Sequence, residues 1–147
     1  MKIGIANDHR GYKLKCFLVK ELENLGYQVY NYGTNSEESV DYPDFAFALG
    51  EKVVNKEVDF GVAICGSGIG ISIACNKVKG VRCAKVSNIE EAKYTREDND
   101  SNIIALGEKT SEKDALDIIT TFISTPFSAL EKHQRRINKI ANYEETH

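Results

Sequence analysis

The chain of 147 residues is 41% hydrophobic and 28% charged, with a net charge of −3. This make-up fits a single domain, residues 1–147, with enough chain to bury a core. It excludes a broadly basic nucleic-acid surface and a membrane-spanning apolar run; Met1–Ala6 turns polar too soon for a secretory leader, so a cytoplasmic protein is expected.

Lys2–Ala6 reads as a first strand. Leu14, Phe17, Leu18, Leu22 and Leu25 have helical spacing and predict a helix from Gly11 to Leu25, stopped by Gly26. Tyr27–Tyr32 alternates as a second strand, and Gly33–Ser36 is a loop. Pro43 suits the first turn of a helix running to about Val54. Val58–Ile64 predicts a third strand, apolar enough for burial on both faces. A glycine-rich turn and a short helix follow. Gly80 precedes a fourth strand, Val81–Val86; Glu90–Arg96 is helical; Asn102–Leu106 is a fifth strand, closed by Gly107. Glu112–Ser124 forms a helix that Pro126 breaks, and a last helix runs from about Phe127 to Tyr143. The alternation predicts an α/β fold: a parallel sheet of about five strands with helices on both faces. Ligands of such sheets bind beyond the carboxyl ends of the strands. Here those ends are Asn7-Asp8-His9, Gly33-Thr34, Cys65-Gly66 and Gly107.

The most informative stretch is Cys65-Gly66-Ser67-Gly68-Ile69-Gly70, where a strand ends on a cysteine and turns through glycines into a helix. Free amides at a helix start attract anions, and a cysteine beside them forms a thiolate more readily. The turn is neither the dinucleotide fingerprint, because Ile71 stands where Gly or Ala is required, nor a phosphate loop, because no Gly-Lys-Ser/Thr follows. A dinucleotide-dependent oxidoreductase is therefore disfavoured. A tight strand–helix turn needs fewer glycines than this one holds, which favours a ligand cradle. A thiolate at Cys65 could take a proton from carbon beside a carbonyl, with the loop amides holding the developing oxyanion. With no C-x-x-C pair and only three histidines, no metal site is expected. Cys16, Cys75 and Cys83 are expected to be small buried hydrophobes.

Two further groups admit two readings each, and a third admits one. Asp8 is either a helix cap with a solvent-facing His9, or the pair contacts a sugar. Arg96–Asn102 has the composition of a solvated loop with Asn/Asp turn chemistry. On the last helix Lys132, His133, Arg136 and Lys139 share a side, away from Ile137, Ile140 and Ala141. They form either a basic surface face or a phosphate clamp.

Asp8-His9-x-Gly11, Gly33-Thr34, Asp41-Tyr42-Pro43, Ile64-Cys65-Gly66-Ser67-Gly68-Ile69-Gly70-Ile71-Ser72-Ile73-Ala74-x-Asn76-Lys77 and Arg96-Glu97-x-Asn99-Asp100-x-Asn102 follow in an order that resembles the ribose-5-phosphate isomerase B and galactose-6-phosphate isomerase family. The resemblance spans nearly the whole chain. It implies a Rossmann-like three-layer α/β/α fold whose C-terminal helix packs on a partner subunit, in a homodimer or dimer of dimers with the active site at the interface. It implies cofactor-free, metal-free aldose–ketose isomerisation of a small phosphosugar through an enediolate. Cys65 would be the base between C1 and C2, with Ser67 and the Gly66, Gly68, Ile69 and Gly70 loop stabilising the enediolate. Asp8 and His9 would contact the sugar, with Asn99 reaching it from the neighbouring subunit. Lys132, Arg136 and Lys109 would hold the phosphate, helped by His133. Asp98 stands where the family usually has its ring-opening histidine, and Lys109 and Lys132 where it usually has arginine. A carboxylate donates protons poorly at neutral pH, and lysine keeps the charge but loses the bidentate fork. Ribose 5-phosphate is the expected substrate. The alternatives are a hexose 6-phosphate, or phosphosugar binding with weak turnover.

Overall fold

The three central strands alternate large and small side chains, and this sorts the helices onto two faces. In a computed structural model that describes residues 1–147, Ile3 and Ile5 of β1 (Lys2–Asn7), Val62 and Ile64 of β3 (Phe60–Cys65), and Ile104 and Leu106 of β5 (Ile103–Gly107) face one core. Ala6, Ala63, Cys65, Ile103 and Ala105 face the other. Ala6, Ala63 and Ala105 stand in register across the sheet, and Cys65 stands beside Gly107. The bulky face is covered by α1 (Tyr12–Asn24), α4 (Ile89–Asn99) and α5 (Glu112–Ser124), with Phe122 fully buried. The small-residue face is covered by α2 (Tyr42–Val54) and α3 (Ile69–Cys75).

All pairings are parallel. With β2 (Gln28–Asn31) and β4 (Cys83–Lys85) at the edges, the strand order is β2-β1-β3-β5-β4. The chain winds one way from β1 to β2 and the other way from β3 onward, so the ends of β1 and β3 flank the switch point where such sheets open a crevice. The last helix, α6 (Glu131–Thr146), lies outside these layers: only Ile137 on it is buried, and Leu130, Ile140 and Tyr143 are 53%, 57% and 66% exposed. No helix is long and apolar enough to cross a membrane.

Several boundaries differ from expectation for identifiable reasons. The last helix starts at Glu131, not Phe127, because Ala129 takes a positive φ of 58° that interrupts helical continuation. The polar run from Arg96 is not a solvated loop. Helix α4 continues to Asn99 and ends where Asp100 adopts a left-handed φ of 46°. Arg96 is buried, donating to the Thr125 and Ser101 carbonyls and to Asp100, with its guanidinium over the Phe60 and Phe122 rings. The fourth strand shrinks to three residues. Cys16 is exposed and Cys83 half-buried, so only Cys75 of those three is fully inside; α1 turns Leu14, Leu18 and Leu22 inward and Cys16 away.

Helix α2 sits close to the sheet because Gly4 and Gly61 lack side chains. A Cβ on Gly4 would lie 2.9 Å from Leu49 Cδ1 and 3.2 Å from Val58 Cγ2. Gly4→Val, although a good strand residue, is expected to lower unfolding stability by about 1–3 kcal/mol through overpacking. Urea unfolding measures this; an unchanged midpoint would mean that the helix has room to stand off.

Candidate active site

Strand β3 delivers Cys65 to its carboxyl end, and the chain then turns sharply through Gly66, Ser67 and Gly68 into α3. Gly68 makes the turn possible. Its φ is +79°, and a Cβ there would lie 2.8 Å from the Leu106 carbonyl carbon and 2.9 Å from the Gly107 nitrogen. Glu108 N–H ties the same turn to β5 by donating to the carbonyls of Cys65 (3.0 Å) and Gly66 (3.1 Å). The Gly68 amide donates to Cys65 Sγ at 3.2 Å, and the Ile69 amide to Ser67 Oγ at 3.1 Å. The amides of Gly66 and Ser67 have no acceptor within the chain. Cys65 is 4% exposed, whereas Ser67 is exposed. Gly70 is backed by the Tyr42 ring, which a Cβ at that position would meet at 2.6 Å.

The neighbouring strand end is built by buried polar contacts. Asp8 is buried and caps a short 3-10 turn (His9–Gly11), its Oδ1 accepting from the Arg10 and Gly11 amides. The capping reading of Asp8 therefore holds in the single chain. His9 Nδ1 accepts from the Val40 amide at 3.2 Å, an arrangement that assigns the neutral ring's proton to Nε2. The loop carrying Val40 is anchored by the buried Lys15 ammonium, which donates to Asn31, the Thr34 carbonyl and Asn35. Burial without a carboxylate partner lowers the Lys15 pKa. Gly33 is required here because a Cβ would lie 1.8 Å from Asn7 Oδ1.

Beside these strand ends opens a cleft of about 400 Å³, lined by His9, Arg10, Lys13, Leu14, Glu37, Glu108 and Lys109. Arg10 forms a two-pronged fork with Glu108, Nε to Oε2 at 2.6 Å and Nη2 to Oε1 at 2.7 Å. The fork holds the Glu108 carboxyl below the usual carboxylate range and pushes Arg10 higher still. Lys109 is exposed on the same cleft. No sequence motif marks Arg10 or Glu108, yet both directly follow residues at strand ends, His9 and Gly107. Strand order together with the residues after each strand end is the signal that brings them to the site.

The remaining candidates lie elsewhere. Asp98 and Asn99 end α4, which leads into the start of β5, and Arg82 fixes that end by donating to the Asn99 and Asp100 carbonyls. Cys65 pairs with Gly107 at the far end of the same strand. A five-residue strand separates these groups by roughly 16 Å. His133 of α6 joins Asp98, its Nε2 3.4 Å from Oδ1, and Lys132 and Arg136 are exposed on the same helix. The fold thus gathers Asp8, His9, Cys65, Gly66, Ser67, Gly68, Ile69, Gly70 and Lys109 at one end of the sheet. Asp98, Asn99, Lys132, His133 and Arg136 belong to the α4–α6 side.

The sequence model of the ribose/galactose isomerase family matches residues 3–140. The chain is 38% identical to the ribose-5-phosphate isomerase B of Mycolicibacterium paratuberculosis, over all of this chain and 94% of that protein. The solved ribose-5-phosphate isomerase B of Clostridium thermocellum superposes with a TM-score of 0.96 at 46% identity, covering 99% of each chain. That of Mycoplasma genitalium, solved with bound ribulose-5-phosphate, gives 0.92 at 37% identity, over 98% of this chain and 96% of that one. Sequence, strand order and the turn at Cys65 agree: the chain belongs to the ribose/galactose isomerase family and is a sugar-phosphate isomerase.

Proposed function

We propose that the chain interconverts ribose 5-phosphate and ribulose 5-phosphate through an enediolate, with Cys65 as the base. The observation that carries this reading is the turn after β3, which sets a sulfur beside two amides without acceptors, those of Gly66 and Ser67. The bound ribulose-5-phosphate of the Mycoplasma genitalium neighbour supports the choice of sugar. The Gly68 amide orients Cys65 Sγ. At 4% exposure the sulfur is largely shut off from bulk water. A proton that it takes from C2 therefore stays available for return to C1. Ser67 Oγ accepts from Ile69 and keeps its own proton to donate to the enediolate oxygen, with the free amides completing the oxyanion site. His9, with its proton on Nε2, donates to the sugar or its phosphate.

The second half of the site comes from another copy of the chain. Asp98, Asn99, Lys132, His133 and Arg136 cannot reach Cys65 across the length of β5. Both halves are bordered by uncovered apolar side chains: Tyr42, Ile69 and Ile73 beside the cysteine turn, and Leu130 at the start of α6 with Ile140 and Tyr143 on it. A homodimer that covers these faces would bring the two halves together. In that arrangement Lys132, Arg136 and Lys109 hold the phosphate. Asp98 acts through His133: the carboxylate orients the imidazole 3.4 Å away, and the imidazole supplies the proton for ring opening that a carboxylate alone supplies poorly.

Cys65→Ala is expected to lower kcat on ribose 5-phosphate by about 10²–10⁴-fold, measured against a panel of pentose and hexose phosphates. Retained turnover on the best substrate would remove Cys65 as the base. His133→Asn separates proton transfer from phosphate holding. The proposed role lowers kcat by at least about tenfold, whereas a rise in KM at unchanged kcat would make His133 a phosphate ligand only.

A further inference from the structure

We infer that Arg10 is an additional binding residue for the phosphate of the substrate, held ready in the cleft by Glu108; this rests on the sugar-phosphate reading above. The guanidinium has five N–H groups. Two of them, on Nε and Nη2, are taken by the Glu108 carboxylate, and the other three have no acceptor in the chain. Glu108 uses both oxygens in the fork, while its amide is bonded to the Cys65 and Gly66 carbonyls. The carboxylate that orients Arg10 is thus fixed to the turn that carries the base. The Arg10 side chain itself runs past Gly66, where a Cβ would meet its Cγ at 3.8 Å and its Cζ at 3.9 Å.

The charges around the cleft agree. Lys13 is paired with Glu37 at 3.6 Å and Arg10 with Glu108, which leaves Lys109 as a cation without an ion-pair partner and His9 as a further donor. Arg10 is the one guanidinium on this cleft, and its side chain is 57% exposed. An arginine already forked on one edge offers its other edge at little cost in rotamer freedom, and planar N–H pairs match phosphate oxygens as an ammonium does not. Lys109 then contributes charge, and Arg10 contributes direction.

The test uses the full-length enzyme, with ribose 5-phosphate kinetics and calorimetric titration of inorganic phosphate. Arg10→Ala is expected to raise KM and the phosphate Kd about tenfold, as loss of one charge-assisted pair does, with kcat changing less than KM. Adding Lys109→Arg to that variant returns a guanidinium to the cleft and is expected to recover most of the affinity. The exposed fork contributes little to stability, so the thermal midpoint should hold. A phosphate Kd and KM within twofold of wild type overturn the inference, as does a fall in kcat at constant KM, which would make Arg10 a brace for the Gly66 turn alone. Wild-type turnover with a silent Arg10 leaves the isomerase reading standing. Absent turnover on every phosphosugar removes that reading instead, and the phosphate titration still decides Arg10.

Discussion

Position 68 has no room for a side chain. The ends of β3 and β5 are in register there, and the turn that leaves β3 presses against the backbone of Leu106 and Gly107. Only a residue without a Cβ, held at positive φ, can pass. That passage points the Gly68 amide at the Cys65 sulfur and leaves the Gly66 and Ser67 amides without internal partners. Each depends on the others: a wider turn would release the sulfur, and a tighter one would bring the amides into the strand ladder. The small residues Ala63 and Ala105 behind the turn let α3 and α2 lie close enough to wall it in.

A parallel sheet also imposes a separation. Every strand runs the same way, so the residues that enter a strand and those that leave it stand a strand length apart. Cys65 and Lys109 are on the leaving side, and Asp98 and Asn99 are on the entering side. One copy of this chain therefore keeps these two groups of candidate residues apart. The α6 helix, beside the second group, carries basic residues and uncovered apolar ones. Its position outside the layers makes physical sense as a surface for another copy. The folded monomer and the working catalyst are, on this account, different objects.

The sheet was legible because parallel strands buried on both faces write continuous apolar runs, and the helices between them write their own period. The cysteine turn was legible because its three glycines exceed what a connection needs. Less visible were features set by tertiary contact. Arg96 reads as surface but packs over Phe60 and Phe122, since its charge finds the Thr125 and Ser101 carbonyls and Asp100 inside. Cys16 reads as core but lies on the outer side of an amphipathic helix. The fork between Arg10 and Glu108 joins residues 98 positions apart, and no local pattern encodes such a pair. Asp98 stands where the family usually has a histidine, and only the fold sets the His133 Nε2 atom 3.4 Å from its Oδ1.

Co-expression of two variants impaired in kcat, Cys65→Ala and His133→Asn, tests most directly whether two copies make one site. Mixed dimers would hold one site with both defects and one with neither. Random pairing should then restore about a quarter of wild-type turnover on ribose 5-phosphate. Turnover no higher than that of either variant alone would contradict the account, because it would place both residues in the same half of the molecule.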